Sequence, residues 1–173
     1  GNKIFATFGS PQNWFEALNM KRTKTMGRVV VKLRVTNLSD INVKERNFTK
    51  DEPRAVEVDA LVDTGANGLA LKRTVIRALG LRKQETGRLS TASGPAILNR
   101  YEPVRVDLME RHGESGVIEV PDTTPNLLGQ IPLAEMDFVV DPKLRRLIPN
   151  PEHGGEWKLE LYRLGAAPRQ SQG

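Results

Sequence analysis

The residues with the clearest potential for chemistry are Asp63, Thr64 and Gly65, which directly follow an apolar stretch. A carboxylate at the end of a buried strand needs hydrogen bonds to stay ionised, and the backbone N–H groups of Gly65 and Ala66 are in place to donate them. Such a carboxylate can act as a general acid or base. By itself, Asp-Thr-Gly is a weak signal, because these residues are common wherever a strand ends in a turn.

The segments that must position Asp63 show clear periodicity. Apolar residues alternate with polar ones from Val29 to Val35 and again from Val56 to Val62. This period of two predicts two half-buried strands, and the second runs directly into Asp63. The polar residues 37–54 between them predict a long loop or a ragged hairpin end.

Further elements follow along the chain. Residues 84–98 predict a hairpin with its tip near Ser93 and Gly94, because small and turn-forming residues separate its two arms. Many short strands with one or two short helices favour an all-β domain, a sandwich or a barrel. The remaining expectations are a short helix over 72–79, a strand over 104–108, a turn over 112–116, a helical turn over 133–137 and a last hairpin over 138–148.

A second motif reads Thr-Pro-Asn-Leu-Leu-Gly-Gln over 124–130, and it predicts a turn, a short buried strand and a glycine where backbones approach closely. Together with Leu61 to Ala66 it resembles the retropepsin family of aspartic peptidases. That family has an apolar-apolar-Asp-Thr-Gly-Ala loop, then a flap hairpin, then a Thr-Pro-x-Asn-apolar-apolar-Gly segment and a short helix. The resemblance covers Val29 to Ile148, and the stretches 127–133, 139–142 and 147–148 look closer to bacterial members than to viral ones.

The resemblance implies an all-β fold, namely a closed retropepsin-like barrel with a flap hairpin and one or two short helices. It also implies a role for each motif residue. Asp63 would be the catalytic carboxylate, supported in its loop by Thr64, Gly65 and Ala66; Ser93 and Gly94 would lie at the flap tip, and Leu127, Leu128 and Gly129 would pack beneath the loop.

The chain has no second Asp-Thr-Gly or Asp-Ser-Gly. Hydrolysis by this route needs one carboxylate that takes a proton from water and a protonated neighbour that polarises the carbonyl. Two such groups share a proton and titrate as a coupled pair. The expected enzyme is therefore an aspartic endopeptidase that acts as a homodimer on peptide or protein substrates, with one Asp63 from each copy.

Two positions depart from the viral pattern, which usually has an Asp after Asp-Thr-Gly-Ala and an Arg after the second Gly. Here these positions are Asn67 and Gln130. Amides can hydrogen-bond to each other without the desolvation cost of a buried ion pair. We therefore expect a neutral contact between Asn67 and Gln130 near the interface of the dimer.

Composition limits the other functions. The 173 residues carry a net charge of +5, but basic and acidic residues are interleaved, so no nucleic-acid partner is expected. No apolar run reaches membrane-spanning length, and no membrane association is expected. The chain has no Cys and only two isolated His, so neither a metal site nor a cofactor is expected, and a cytoplasmic location is the default.

Three regions are expected: an N-terminal extension over 1–25 that is a candidate propeptide, a peptidase domain over 26–150, and a tail over 151–173 with a candidate strand at Trp157 to Tyr162. The main alternative function is a non-catalytic, dimeric module that binds peptides or partner proteins. A nucleic-acid-binding barrel is disfavoured, because aromatic residues make up only 5% of the chain.

Overall fold

The computed structural model describes residues 28–91, 94–141 and 143–157. The strands are β1 (Val30–Asn37), β2 (Ala55–Asp63), β3 (Leu69–Lys72), β4 (Lys83–Thr91), β5 (Gly94–Leu108), β6 (Arg111–Val120), β7 (Asn126–Gly129), β8 (Phe138–Asp141) and β9 (Arg146–Pro149). The helices are α1 (Leu38–Glu45), α2 (Arg73–Leu79), α3 (Gln130–Glu135) and a 3-10 turn, Pro151–His153.

Six of the strands form a closed barrel in the order β1-β2-β7-β3-β6-β5, and β5 pairs back onto β1. Strand β4 pairs with β5 beyond the barrel and makes a long hairpin with it. Strands β8 and β9 form a separate hairpin. The predicted all-β closed barrel is confirmed, although the described residues contain three short α-helices rather than one or two.

The barrel core follows the predicted alternation. Leu33 and Val35 are fully buried on one face of β1, whereas Lys32 and Arg34 on the other face are exposed. The period of two therefore places one face of this strand in the core.

The end of β2 is covered on both faces. Val62 belongs to the main core, and Leu61, which the alternation places on the polar face, is buried in a second apolar cluster with Ala70, Val120 and Leu127. Strands with covered faces on both sides are apolar throughout rather than alternating. The chain therefore enters Asp63 from a segment that is anchored on two sides.

Helix α1 corrects the prediction of a long loop over 37–54. Asn37 caps it, because the Asn37 side chain accepts a hydrogen bond from the Asp40 N–H at 3.2 Å. No residue of α1 is buried, so the apolar period by which a helix is recognised is missing. Long-range bonds fix it instead, including one from Asn37 Nδ2 to the Leu79 carbonyl at 3.0 Å.

Two other boundaries differ from the expectations. The turn between β5 and β6 lies at Met109 and Glu110, with Met109 in the left-handed region at φ 55°, so residues 112–116 are strand and the predicted turn there was wrong. Helix α3 begins at Gln130, three residues before the expected helical turn. Pro132 fits there, because it lies in the first turn of the helix, where the main-chain N–H has no partner within the helix.

The segment after β9 packs back onto the barrel. The buried Arg111 side chain donates to the carbonyls of Met136, Asp137 and Gly155, and the Trp157 indole N–H donates to the Glu135 carbonyl at 3.2 Å. The candidate strand beyond Trp157 lies outside the described residues, as do residues 1–27. Among the described residues, no helix is long and apolar enough to cross a membrane.

Candidate active site

The two sequence motifs lie side by side in the barrel. Strand β7 runs parallel to the end of β2, with Leu127 opposite Leu61, Leu128 opposite Val62 and Gly129 opposite Asp63. On its other edge β7 pairs antiparallel with β3. The loop from Asp63 to Gly68, which we call the Asp63 loop, therefore bridges over the C-terminal end of β7.

Asp63 is buried, with 5% of its surface exposed. Its Oδ1 accepts a hydrogen bond from the Gly65 N–H at 3.0 Å, and its main-chain carbonyl accepts one from the Ala66 N–H at 3.0 Å. A buried carboxylate requires such donors, because it has given up its hydration. The Gly65 N–H thus donates to the carboxylate, whereas the Ala66 N–H, which was expected to do the same, donates to the main-chain carbonyl of Asp63 and closes the turn.

Gly129 fixes the Asp63 loop from below. A Cβ at this position would lie 2.4 Å from the Gly68 carbonyl oxygen and 2.6 Å from the Ala66 carbonyl oxygen. The main chain also joins the two segments, because the N–H of Gly129 donates to Gly68 at 3.0 Å and the N–H of Gln130 donates to Ala66 at 2.8 Å. Backbone contact this close leaves space only for glycine.

Asn126 joins the strands on either side of β7. Its Nδ2 donates to the Asp59 carbonyl at 3.0 Å, and its Oδ1 accepts from the Lys72 N–H at 2.9 Å. The side chain is buried, so both bonds are made away from water. The sequence motif contains this residue, but only the structure shows that it ties β2 to β3.

The residues that the resemblance places near a dimer interface face solvent in the single chain. Thr64, Asn67 and Gln130 are exposed. The hydrogen bonds between the loop and the start of α3 are main-chain ones, including the Ile131 N–H to the Asn67 carbonyl at 3.0 Å. The expected side-chain contact between Asn67 and Gln130 stays a prediction.

The hairpin expected over 84–98 is present as β4 and the first half of β5, which pair from Lys83 with Tyr101 to Thr91 with Gly94. Gly94 begins β5, whereas Ser93 lies outside the described residues. Pattern reasoning missed two carboxylates at the base of this hairpin, Glu102 and Glu119, since their partners are distant in sequence. Among the described residues, no group of three or more potential ligands is arranged to hold a metal ion.

Comparison with known proteins gives one family match and similar solved structures. Residues 54–135 match a family described as "gag-polyprotein putative aspartyl protease", and this range contains both the Asp63 loop and β7. Comparison with curated protein sequences gives no match. Among solved structures, the chain is similar to "EIAV protease complexed with the inhibitor HBY-793", with 18% identity, a TM-score of 0.43, and coverage of 65% of this chain and 91% of that one. The matched range is similar to that family and makes up just under half of the chain.

Proposed function

We propose that the chain is an aspartic endopeptidase whose active site forms between two copies, each supplying one Asp63. The observation that carries the proposal is the buried Asp63 carboxylate, which accepts the Gly65 N–H in a loop that Gly129 fixes in place. The match of residues 54–135 to an aspartyl-protease family supports the reaction class. Residues 26–150 are the proposed peptidase domain.

The proposed reaction uses one water molecule between the two carboxyl groups. The ionised Asp63 takes a proton from the water while its oxygen attacks the peptide carbonyl carbon, and the protonated Asp63 of the second copy donates its proton to the carbonyl oxygen. The tetrahedral diol then collapses: the Asp63 protonated by the water gives its proton to the leaving nitrogen as the C–N bond breaks, and the ionised Asp63 of the second copy takes a proton from one diol hydroxyl as the carbonyl re-forms. Two neighbouring carboxyls sharing one proton favour acid to near-neutral pH.

The exposed residues of the Asp63 loop support assembly of two copies. Thr64 follows a buried carboxylate yet points to solvent, as do Asn67 and the nearby Gln130. In a C2 dimer the same surface of each chain meets its own copy, so these three side chains would lie around the axis. We propose that the Thr64 hydroxyls link the two loops and that the amides of Asn67 and Gln130 bond near the interface.

The hairpin of β4 and β5 is the proposed flap. It extends from the barrel as a two-stranded ribbon, because the described part of β4 pairs with β5 alone. Closing over a bound peptide would exclude water from the reacting groups. In this proposal Ser93 and Gly94 contact the peptide from above, and Gly65 approaches it from below.

Cleavage of a peptide library by the wild-type chain and by Asp63→Asn tests the proposal. The amide keeps the size of the side chain and removes its ability to take a proton, so we expect at least about a thousandfold loss of cleavage. Equal cleavage by both proteins would disprove it. If neither cleaves while both bind peptides as dimers, the non-catalytic peptide-binding module replaces the enzyme.

A further inference from the structure

The hairpin of β4 and β5 leaves the barrel at an irregular point. The pairing of β5 with β6 breaks register between Tyr101 and Val104, and the pairing of β4 with β5 breaks register between Lys83 and Glu85. We call residues 82–83 and 101–103 the hairpin root. Irregular pairing lets a strand bend locally, so the root is where the hairpin can change its angle to the barrel.

Glu102 lies in the irregular part of β5 and is 5% exposed. Its Oε1 accepts from the Arg82 N–H at 3.1 Å, and its Oε2 accepts from Arg82 Nε at 3.1 Å and from the Ser39 hydroxyl at 3.2 Å. The Glu102 N–H donates in turn to the Arg82 carbonyl at 3.0 Å. One buried carboxylate thus joins both arms of the root to helix α1.

Glu119 of β6 binds Tyr101, the residue of β5 next to Glu102. Its Oε2 accepts from the Tyr101 hydroxyl at 2.6 Å, and its Oε1 accepts from Arg73 Nε at 3.1 Å and Nη2 at 2.9 Å. Burial alone would raise the pKa of Glu119, but the hydrogen bonds from Tyr101 and Arg73 hold that pKa below its usual value. The charged form is therefore the one that binds the root.

The hairpin beyond the root is held differently. Arg100 and Glu85 form an ion pair across it, but these side chains are 55% and 56% exposed, and exposed pairs contribute little to stability. From Gly94 to Asn99, the described residues of β5 pair with β4 alone. Contacts at the root therefore decide how firmly the whole ribbon is fixed to the barrel.

We propose that Glu102 and Glu119 are positioning residues that set how readily the flap hairpin lifts from the closed position. The inference rests on the proposed function for the flap's role, but the attachment of the hairpin is independent of activity. When a charge-assisted bond at the root is weakened, the hairpin opens more often while the barrel stays intact.

Hydrogen exchange tests the attachment without any need for turnover. In an Asp63→Asn background, we expect Glu102→Gln to speed exchange about tenfold for the backbone amides of 85–91 and 94–100, with β1 and β2 unchanged. Tyr101→Phe removes the hydroxyl that donates to Glu119, and it should increase the exchange rate of the same amides by a smaller factor. Glu85→Gln, which removes only the exposed pair, is the matched control and should leave exchange within about twofold of the parent.

Two outcomes of the exchange experiment would overturn the proposal. One is unchanged hairpin exchange in both root variants. The other is an equal rise across β1 and β2, since that would mean general destabilisation rather than a loosened root. If Glu102→Gln does not fold, the result for Tyr101→Phe decides.

Kinetics on the active chain then connect the root to the flap. In Glu102→Gln with Asp63 intact, more frequent opening of the hairpin lowers the fraction of closed enzyme. We therefore expect KM for a long peptide to rise several-fold relative to wild type, with a smaller change in kcat. A fall in kcat at constant KM would contradict a positioning role. Absence of cleavage by the wild type itself would refute the proposed function and leave the exchange result to decide the attachment.

Discussion

The Asp63 loop and the hairpin root are both fixed to the barrel, but by different parts of the chain. Main-chain groups hold the Asp63 loop, through the bonds from Gly129 and Gln130 and the close approach of Gly129. The hairpin root has main-chain bonds too, but the side-chain carboxylates of Glu102 and Glu119 add the contacts that join it to α1 and α2. In the proposed enzyme, the loop that presents the carboxylate is therefore built rigidly, whereas the hairpin proposed to move is attached in part by side-chain bonds that can break singly.

This difference has a consequence for mutation. A main-chain contact is insensitive to most side-chain changes but does not tolerate an added atom at the point of contact. A side-chain contact loses part of its contribution to stability with each charge or hydrogen bond that is removed. The Asp63 loop should therefore respond to a few substitutions severely, and the hairpin root should respond to several substitutions moderately.

Gly129→Ala should have the largest effect on the fold. Its Cβ would lie between carbonyl oxygens at 2.4 Å and 2.6 Å, so the Asp63 loop must move or the strand must separate. We expect a loss of about 3 kcal/mol or more in the free energy of unfolding, measured by urea denaturation.

Gly68→Ala in the same loop is the matched control. A Cβ there meets nothing within 4 Å, and Gly68 does not adopt a positive φ. Its effect should stay within about 1 kcal/mol. Similar losses for Gly129→Ala and Gly68→Ala would show that close packing is not what fixes the Asp63 loop.

Asn126→Ala removes a buried side chain that joins β2 to β3 beside the Asp63 loop. The bonds to the Asp59 carbonyl and from the Lys72 N–H are both lost in a buried place, and we expect a loss of about 2 kcal/mol in unfolding free energy. Asn67→Ala, at an exposed amide of the loop, should leave the stability of the single chain almost unchanged. A larger loss of unfolding free energy for Asn67→Ala than for Asn126→Ala would show that the buried amide is not the one that stabilises the fold.

The sequence predicted the Asp63 loop better than it predicted the hairpin root, for the same physical reason. Main-chain contacts need glycines and small residues at fixed places, and these are visible as Asp63-Thr64-Gly65 and as Gly129. The contacts of Glu102 reach Ser39 in helix α1, 63 residues away, and α1 itself has no buried face to reveal it. Such pairs depend on the finished barrel and leave no local pattern.

The smallest expected effect is a pH dependence at the hairpin root. The pKa of Glu119 is lower in the folded chain than in the unfolded chain, where it is about 4.3. The stabilising contribution of the carboxylate is therefore fully present above the unfolded pKa and is lost as the pH falls toward the folded pKa. The stability advantage of wild type over Glu119→Gln should therefore shrink between about pH 6 and about pH 3. Glu57→Gln, at an exposed position of β2, serves as the control. A constant difference in stability between wild type and Glu119→Gln across this range would show that the charge of Glu119 does not stabilise the hairpin root.

The central claim is that one active site contains Asp63 from two chains, and a mixing experiment tests it most directly. Wild-type chain is mixed with an equal amount of Asp63→Asn, the subunits are allowed to exchange, and cleavage is compared with that of wild type alone at the same total chain concentration. If both carboxylates are required, only dimers of two wild-type chains are active, and activity should fall to about one quarter. Activity of about one half, as expected when each chain works alone, would contradict the account.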